Sequence, residues 1–319
     1  MGKWREKLLM KLLGRISGLG LRKKSRSLVM LGLSLTLALA VTGCGKSEGS
    51  GTDTITIASK GFGESDILAN AISQLIEHDT KLNTKIVSLG PVWEALEKGE
   101  IDTYIEYTGT ALIKILKEKP ENDPQKVYDI VKEKFKEKHQ VEVLDQLGFN
   151  NTYGFVMRKE FAEKQNIKSI SDLAAHSKDL VFGTSQDFLM SEDTWPVIQK
   201  VYNPQFKEIK NIPNRVLAYK AIEQNLIDVT NAYTTDSQIP LSNFVVLKDD
   251  KQVFVPYYAI PLIRGEVVEK HPELREIINK LAGRLDDDKM QRLNGEVDVK
   301  QRTPKDVAKE WLESEGLLK

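Results

Sequence analysis

Cysteine is almost missing from this chain: Cys44 stands alone among 319 residues, so no intrachain disulfide can form. Histidine is scarce as well. His78, His139, His176 and His271 lie apart in charged surroundings, which leaves no HExxH-like zinc site and no partner for a nucleophile elbow. No cluster of His, Cys or carboxylates has metal-ligand spacing, and "KGFGES" lacks a phosphate-cradling glycine fingerprint. Glu106 or Asp102 would serve as a general base, and Glu94 with Glu97 look like paired carboxylates, but no second group completes either set. Glu94 and Glu97 read instead as a solvated helix face. The expectation is a protein that is not an enzyme and holds no cofactor or metal. Charge of one sign is also lacking, with 46 basic and 46 acidic residues, which excludes a nucleic-acid binder.

That balance hides an uneven distribution. Residues 1–43 carry nine Lys and Arg against Glu6 alone, so the remainder holds 37 basic and 45 acidic residues, a net charge of −8. The basic head leads into "LVMLGLSLTLALAV", an uncharged run of 14 residues, short of the roughly 20 that span a bilayer but fitting for a signal-peptide core. "VTGC" follows and resembles the lipobox of bacterial lipoproteins, which implies cleavage before Cys44 and acylation of its sulfur. The competing reading is an uncleaved signal anchor. Met10 offers an alternative start, because the segment ahead of the apolar run is long. The polar "GKSEGSGTDT" that follows Cys44 reads as a flexible tether over 44–53.

From residue 54 the pattern is strand, helix, strand, helix, strand. "TITIAS" alternates as a strand, and Ile67, Leu68, Ala71, Ile72, Leu75 and Ile76 form one apolar helical stripe. "TKIVSLG" reads as the second strand, Pro91 as a first-turn helical proline, and 101–107 as the third strand. This order predicts a parallel sheet covered by helices. "NTYGFVMR", "DLVFGTS" and "LIDVTNAY" repeat the scheme, with helices near 159–166, 192–202 and 215–225. "VFVPYYAIPLIR" reads as one further strand, followed by helices near 266–292 and 304–316. Residues 95–110 also echo 221–236 at an offset of 126, with six of sixteen positions identical, which sets Tyr107 over Tyr233 and Phe62 over Phe188. Shared helix-to-strand grammar would produce the same echo. The predicted organisation is one lobe from 54–148 plus 253–319 and a second from 149–252, joined by two crossings around a cleft that opens and shuts.

Ligands meet open α/β sheets at the carboxyl ends of strands, and Tyr107 sits at such an end. "TGT" then offers hydroxyls at Thr108 and Thr110, a close backbone approach at Gly109, and the start of a helix whose free N–H groups favour an anion. Tyr153, Tyr233 and Tyr257 occupy comparable loop or strand-end places, Tyr107 and Tyr257 from the first lobe, Tyr153 and Tyr233 from the second. A box of phenol faces suits a quaternary ammonium, which cannot donate hydrogen bonds; each ring contributes roughly 0.5–2 kcal/mol. Taken singly, each tyrosine is better read as a packed residue with a satisfied hydroxyl. Trp93 and Trp195 read as helix packing.

"IDTYIEYTGT", "NNTYGF", "NLIDVTNAYTTDSQI" and "VFVPYYAIPLIR", in that order, resemble the substrate-binding lipoproteins of osmoprotectant ABC importers for glycine betaine, carnitine and choline. The resemblance runs from Thr54 to the C-terminus. It implies an α/β, type II periplasmic-binding-protein fold of two hinged lobes. It also implies a cation cage of Tyr107, Tyr153, Tyr233 and Tyr257, with Thr110 on the ligand's carboxylate. Where relatives read "KNFTEQ" this chain reads "KGFGES", which puts Ser65 at the place of a carboxylate-contacting Gln; the shorter side chain would reach through a water. A neutral Thr110 ranks betaine-type zwitterions above choline. The implied partners are a quaternary-ammonium small molecule, an ABC permease with its ATPase, and the membrane through lipidated Cys44, on the extracytoplasmic face of the bacterial cell membrane, with the protein a monomer. A choline- or carnitine-preferring relative, or a ligand sensor without a transport role, fits the same motifs.

Overall fold

The computed structural model describes residues 53–319. The expectations for the signal segment 1–43, for Cys44 and for the tether up to residue 52 lie outside the described residues.

Strand β1 (Thr54–Ser59) and the helix Gly63–Asp79 start the chain as its periodicity dictates. The stripe Ile67, Leu68, Ala71, Ile72, Leu75 and Ile76 is wholly buried, each Ile or Leu contributing about 1.5–3 kcal/mol of burial. It packs with Val307, Ala308, Trp311 and Leu312 of the helix Pro304–Ser314. β2 (Asn83–Ser88) and β3 (Thr103–Tyr107) both pair with β1 in parallel. Pro91 is one residue out of its expected place. Its carbonyl accepts the first helical bond, from the N–H of Ala95, while its own backbone stays non-helical, so it caps the helix Val92–Glu97 instead of opening it.

β4 (Val141–Val143) and β10 (Ala259–Arg264) complete the first sheet, in the order β2-β1-β3-β10-β4. The second sheet is β7-β6-β8-β5-β9, built from β5 (Tyr153–Arg158), β6 (Val181–Thr184), β7 (Glu208–Asn211), β8 (Val229–Tyr233) and β9 (Phe244–Val246). In each sheet the central strand, β3 or β8, has a parallel neighbour on one side and an antiparallel one on the other. The chain passes between the sheets twice, from β4 to β5 and from β9 to β10.

The sequence echo corresponds to repeated construction. Asp102 precedes β3 and its carboxylate accepts the N–H of Thr56 at 2.7 Å; Asp228 precedes β8 and accepts the N–H of Val181 at 2.8 Å. Each aspartate also meets an arginine that ends the antiparallel neighbour, Arg264 at 2.9 Å and Arg158 at 3.7 Å. Tyr107 and Tyr233 therefore close equivalent central strands.

Two further expectations fail. Residues 253–258 do not extend β10, because their polar groups turn to side chains of other segments: Tyr257 N–H donates to Asn150 Oδ1 at 2.7 Å and Tyr258 N–H to Thr108 Oγ1 at 3.0 Å. The helix after β3 is a short α-turn, Thr108–Thr110, that runs into a π-turn, Ala111–Ile115, closed by Leu116 N–H to Ala111 O at 2.9 Å.

Candidate functional site

A cavity of about 630 Å³ is lined by Tyr107, Tyr153, Tyr233 and Tyr257 together with Thr110. Its walls come from both sheets. Tyr107 ends β3, Tyr233 ends β8 and Tyr153 begins β5, antiparallel to β8, so that Tyr153 lies directly across from Tyr233 in the ladder. Their ring centroids are 5.1 Å apart, and the Tyr257 ring stands edge-on to Tyr153 at 6.3 Å. Phe188 and Phe254, each 5.8 Å from Tyr153, back that ring from within the second core.

Tyr257 is seated by glycine. A Cβ on Gly109 would come within 2.8 Å of the Tyr257 ring and 2.9 Å of the Pro256 carbonyl. The "TGT" turn therefore gives the close approach that its glycine suggested, and the neighbour it admits is another of the four tyrosines. Thr108 Oγ1 donates to Pro256 O at 2.9 Å and fastens the two segments together.

Tyr107 is held from behind. Its hydroxyl donates to Glu64, a buried carboxylate in the first turn of the helix Gly63–Asp79. Glu64 also accepts from Asn151 Nδ2 at 2.8 Å and from Asn294 Nδ2 at 3.0 Å. Asn294, on the helix Asp287–Asp298, further donates to Thr235 O at 2.9 Å, just beyond β8. One carboxylate thus connects the first sheet's tyrosine, the crossing segment and the turn after β8.

Burial, joined by the negative Glu64, raises the Tyr107 phenol well above its ordinary value. Burial also raises Tyr153, with its neighbour Tyr233 adding to the effect, and raises Tyr257, reinforced by Asp193. These three phenols stay protonated at neutral pH, so their rings are neutral quadrupoles with the negative face that attracts a cation.

The structure corrects one reading of the anion side. Ser65 does not line the cavity; it is buried, and its Oγ accepts the N–H of Lys60 at 2.9 Å, so it fixes the turn after β1. Two N–H groups near the start of the "TGT" turn are engaged, Tyr107 N–H with Glu106 Oε1 at 2.8 Å and Thr108 N–H with Tyr258 O at 2.9 Å. Positive charge comes instead from Lys60, Lys114 and Arg215, which line the cavity along with Glu64, Asp193, Asp236 and Asp298. Burial raises the Asp298 carboxyl, and the nearby Asp236 and Asp66 push the same way. Lys60 directly follows β1, so the strand-end rule that selected Tyr107 would have found it. Arg215 lies at the start of the helix Arg215–Glu223 and carries no motif to announce it.

The acids considered as catalytic bases have structural partners. Glu106 pairs with Lys60 and accepts the Tyr104 hydroxyl at 3.0 Å, Asp102 holds Arg264, and Glu97 pairs with His139 at 2.9 Å. Trp93 packs edge-on to Phe135 at 5.0 Å, and Trp195 packs on Phe182 at 5.3 Å.

Two α/β sheets with strand-end residues converging on one aromatic cavity define a type II binding protein. Residues 53–314 match the family model described as the substrate binding domain of ABC-type glycine betaine transport system, and the chain belongs to that family of transport proteins, which are not enzymes. The carnitine transport binding protein OpuCC of Listeria monocytogenes is 39% identical over 257 residues, covering 78% of this chain and 83% of that protein. A glycine-betaine-binding protein of Pseudomonas aeruginosa is 33% identical over 275 residues, covering 82% and 88%. A crystal structure described as a glycine betaine/carnitine/choline ABC transporter superposes with a TM-score of 0.80 at 36% identity, over 83% of this chain and all of that one.

Proposed function

We propose that this protein captures a betaine-type quaternary-ammonium zwitterion between its lobes and delivers it to the permease of an ABC importer. The observation that carries the reading is the single cavity lined by Tyr107, Tyr153, Tyr233, Tyr257 and Thr110. The ammonium rests among the four rings, and the carboxylate meets Thr110 and the cavity's basic side chains. The lobes, 54–148 with 253–319 and 149–252, close over the ligand because each supplies part of the cage. Cys44, acylated after cleavage of the signal segment, holds the monomer on the extracytoplasmic face of the membrane, and ATP hydrolysis by the importer drives uptake.

Membership of the glycine betaine family supports the ligand class, and the neutral Thr110 supports zwitterions over choline. Titration calorimetry with glycine betaine, proline betaine, carnitine and choline tests the reading, with proline and glutamate as controls that lack the quaternary nitrogen. Saturable binding of the methylated ligands and none of the controls is the expected result. Equal binding of proline and glycine betaine contradicts it.

A further inference from the structure

Two of the four cage rings already carry a cation of the protein's own. Lys60 Nζ lies 5.0 Å from the Tyr107 centroid, and Arg215 Cζ lies 4.0 Å from the Tyr233 centroid, both inside the roughly 6 Å reach of a cation–π contact. Each is tied to an acid of its own lobe, Lys60 to Glu106 and Arg215 Nε to Asp236 Oδ2 at 3.1 Å. The two tethers differ in strength. Glu106 is buried and also binds the Tyr104 hydroxyl and the Tyr107 N–H, so Lys60 is pinned. Among the described residues Arg215 has one acidic partner, and its side chain is 40% exposed. That is twice the exposure of Lys60.

Helix stability does not account for a cation at this place. Arg215 opens the helix Arg215–Glu223, where the dipole disfavours positive charge. Its anchor, by contrast, is well fixed, since Asp236 Oδ2 also accepts the Tyr219 hydroxyl at 2.5 Å and the Tyr233 N–H at 2.9 Å. Arg215 also lines both the tyrosine cavity and an adjoining cavity of about 690 Å³ in the second lobe, walled by Thr184, Thr230 and Asn231 among others. The guanidinium therefore stands at the meeting of the two spaces.

We infer that Arg215 is the internal occupant of the cage, stacked on Tyr233 until a ligand's ammonium takes that ring face, and that the displaced guanidinium then pairs with the ligand's carboxylate. This rests on the quaternary-ammonium reading above and names its specificity residue. A zwitterion supplies both the competing cation and the anion that receives Arg215. A plain cation such as choline displaces the guanidinium and leaves two like charges side by side in a partly desolvated cleft. Arginine suits both positions, because its planar fork stacks on an aromatic face and grips a carboxylate with two parallel bonds.

The test is calorimetry on the full-length chain in detergent, using glycine betaine, carnitine and choline against wild type, Arg215→Gln and Arg215→Lys. Arg215→Gln is expected to lose about tenfold in affinity for both zwitterions and to gain about threefold or more for choline. Arg215→Lys keeps the charge without the planar fork, so it should lose severalfold in affinity for the zwitterions while still preferring them to choline. A betaine-to-choline ratio in Arg215→Gln equal to that of wild type overturns the inference even though the cage reading stands. Wild-type protein that binds none of the three ligands overturns both, and the two failures are thereby told apart.

Discussion

Tyr107 presents two functions on one side chain, a ring face toward the cavity and a hydroxyl bonded to buried Glu64, and a pair of substitutions separates them. Tyr107→Ala removes one of four ring faces. At about 1–2 kcal/mol for a partly desolvated cation–π contact, and 1.4 kcal/mol for each factor of ten, betaine affinity should fall about tenfold. Tyr107→Phe keeps the face and deletes the hydroxyl. Affinity should then stay within about threefold of wild type, whereas Glu64 keeps only its Asn151 and Asn294 donors and folding stability drops by about 1–3 kcal/mol. Calorimetry reads the first quantity and urea unfolding the second. If Tyr107→Phe loses as much affinity as Tyr107→Ala, the hydroxyl and not the ring holds the ligand, and the cage argument fails at this residue.

Other consequences are open to equally simple checks. Gly109→Ala would drive a methyl into the Tyr257 ring and the Pro256 carbonyl; betaine affinity should fall about tenfold with the shifted ring, and unchanged calorimetry would show that Tyr257 is dispensable. Asn294→Ala strips one donor from Glu64 and one from Thr235 O, so the melt should show a loss of about 1–3 kcal/mol; an unshifted melting curve would contradict the role given to Glu64. Burial raises the phenols of Tyr107, Tyr153 and Tyr257 above the value of 10.0 that they have in the unfolded chain. The unfolded chain then releases protons first. The stability these groups contribute is complete below about pH 10 and is lost as pH climbs beyond it toward the folded values. A melting temperature that rises between pH 9.5 and 11 would reverse the sign and refute the burial argument.

Much of this fold was legible because it follows local periodicity. The stripe of the helix Gly63–Asp79 and the alternation of β1 need no distant partner to be recognised. Tyr107 and Tyr233 were legible for a related reason: each closes a strand before a polar turn, and strand ends are where such sheets bind. Residues 253–258 carry the β-branched and aromatic side chains of a strand, yet Asn150 and Thr108, more than a hundred positions earlier, take their backbone donors. Ser65 was misplaced by motif register, since a step of one residue, about 100° around the helix, separates Glu64 on the cavity wall from Ser65 on the preceding backbone. Arg215 and Glu64 were invisible for want of a local signature. Their importance comes from partners, Tyr233 and Asp236 for one and Tyr107, Asn151 and Asn294 for the other, that only the folded chain assembles.

A crystal structure of the full chain with glycine betaine tests the central claim most directly. The account predicts the trimethylammonium nitrogen within about 6 Å of the ring centroids of Tyr107, Tyr153, Tyr233 and Tyr257, with the carboxylate toward Thr110 and Arg215. Ligand density outside that cavity, or an ammonium touching rings of one lobe alone, would contradict it.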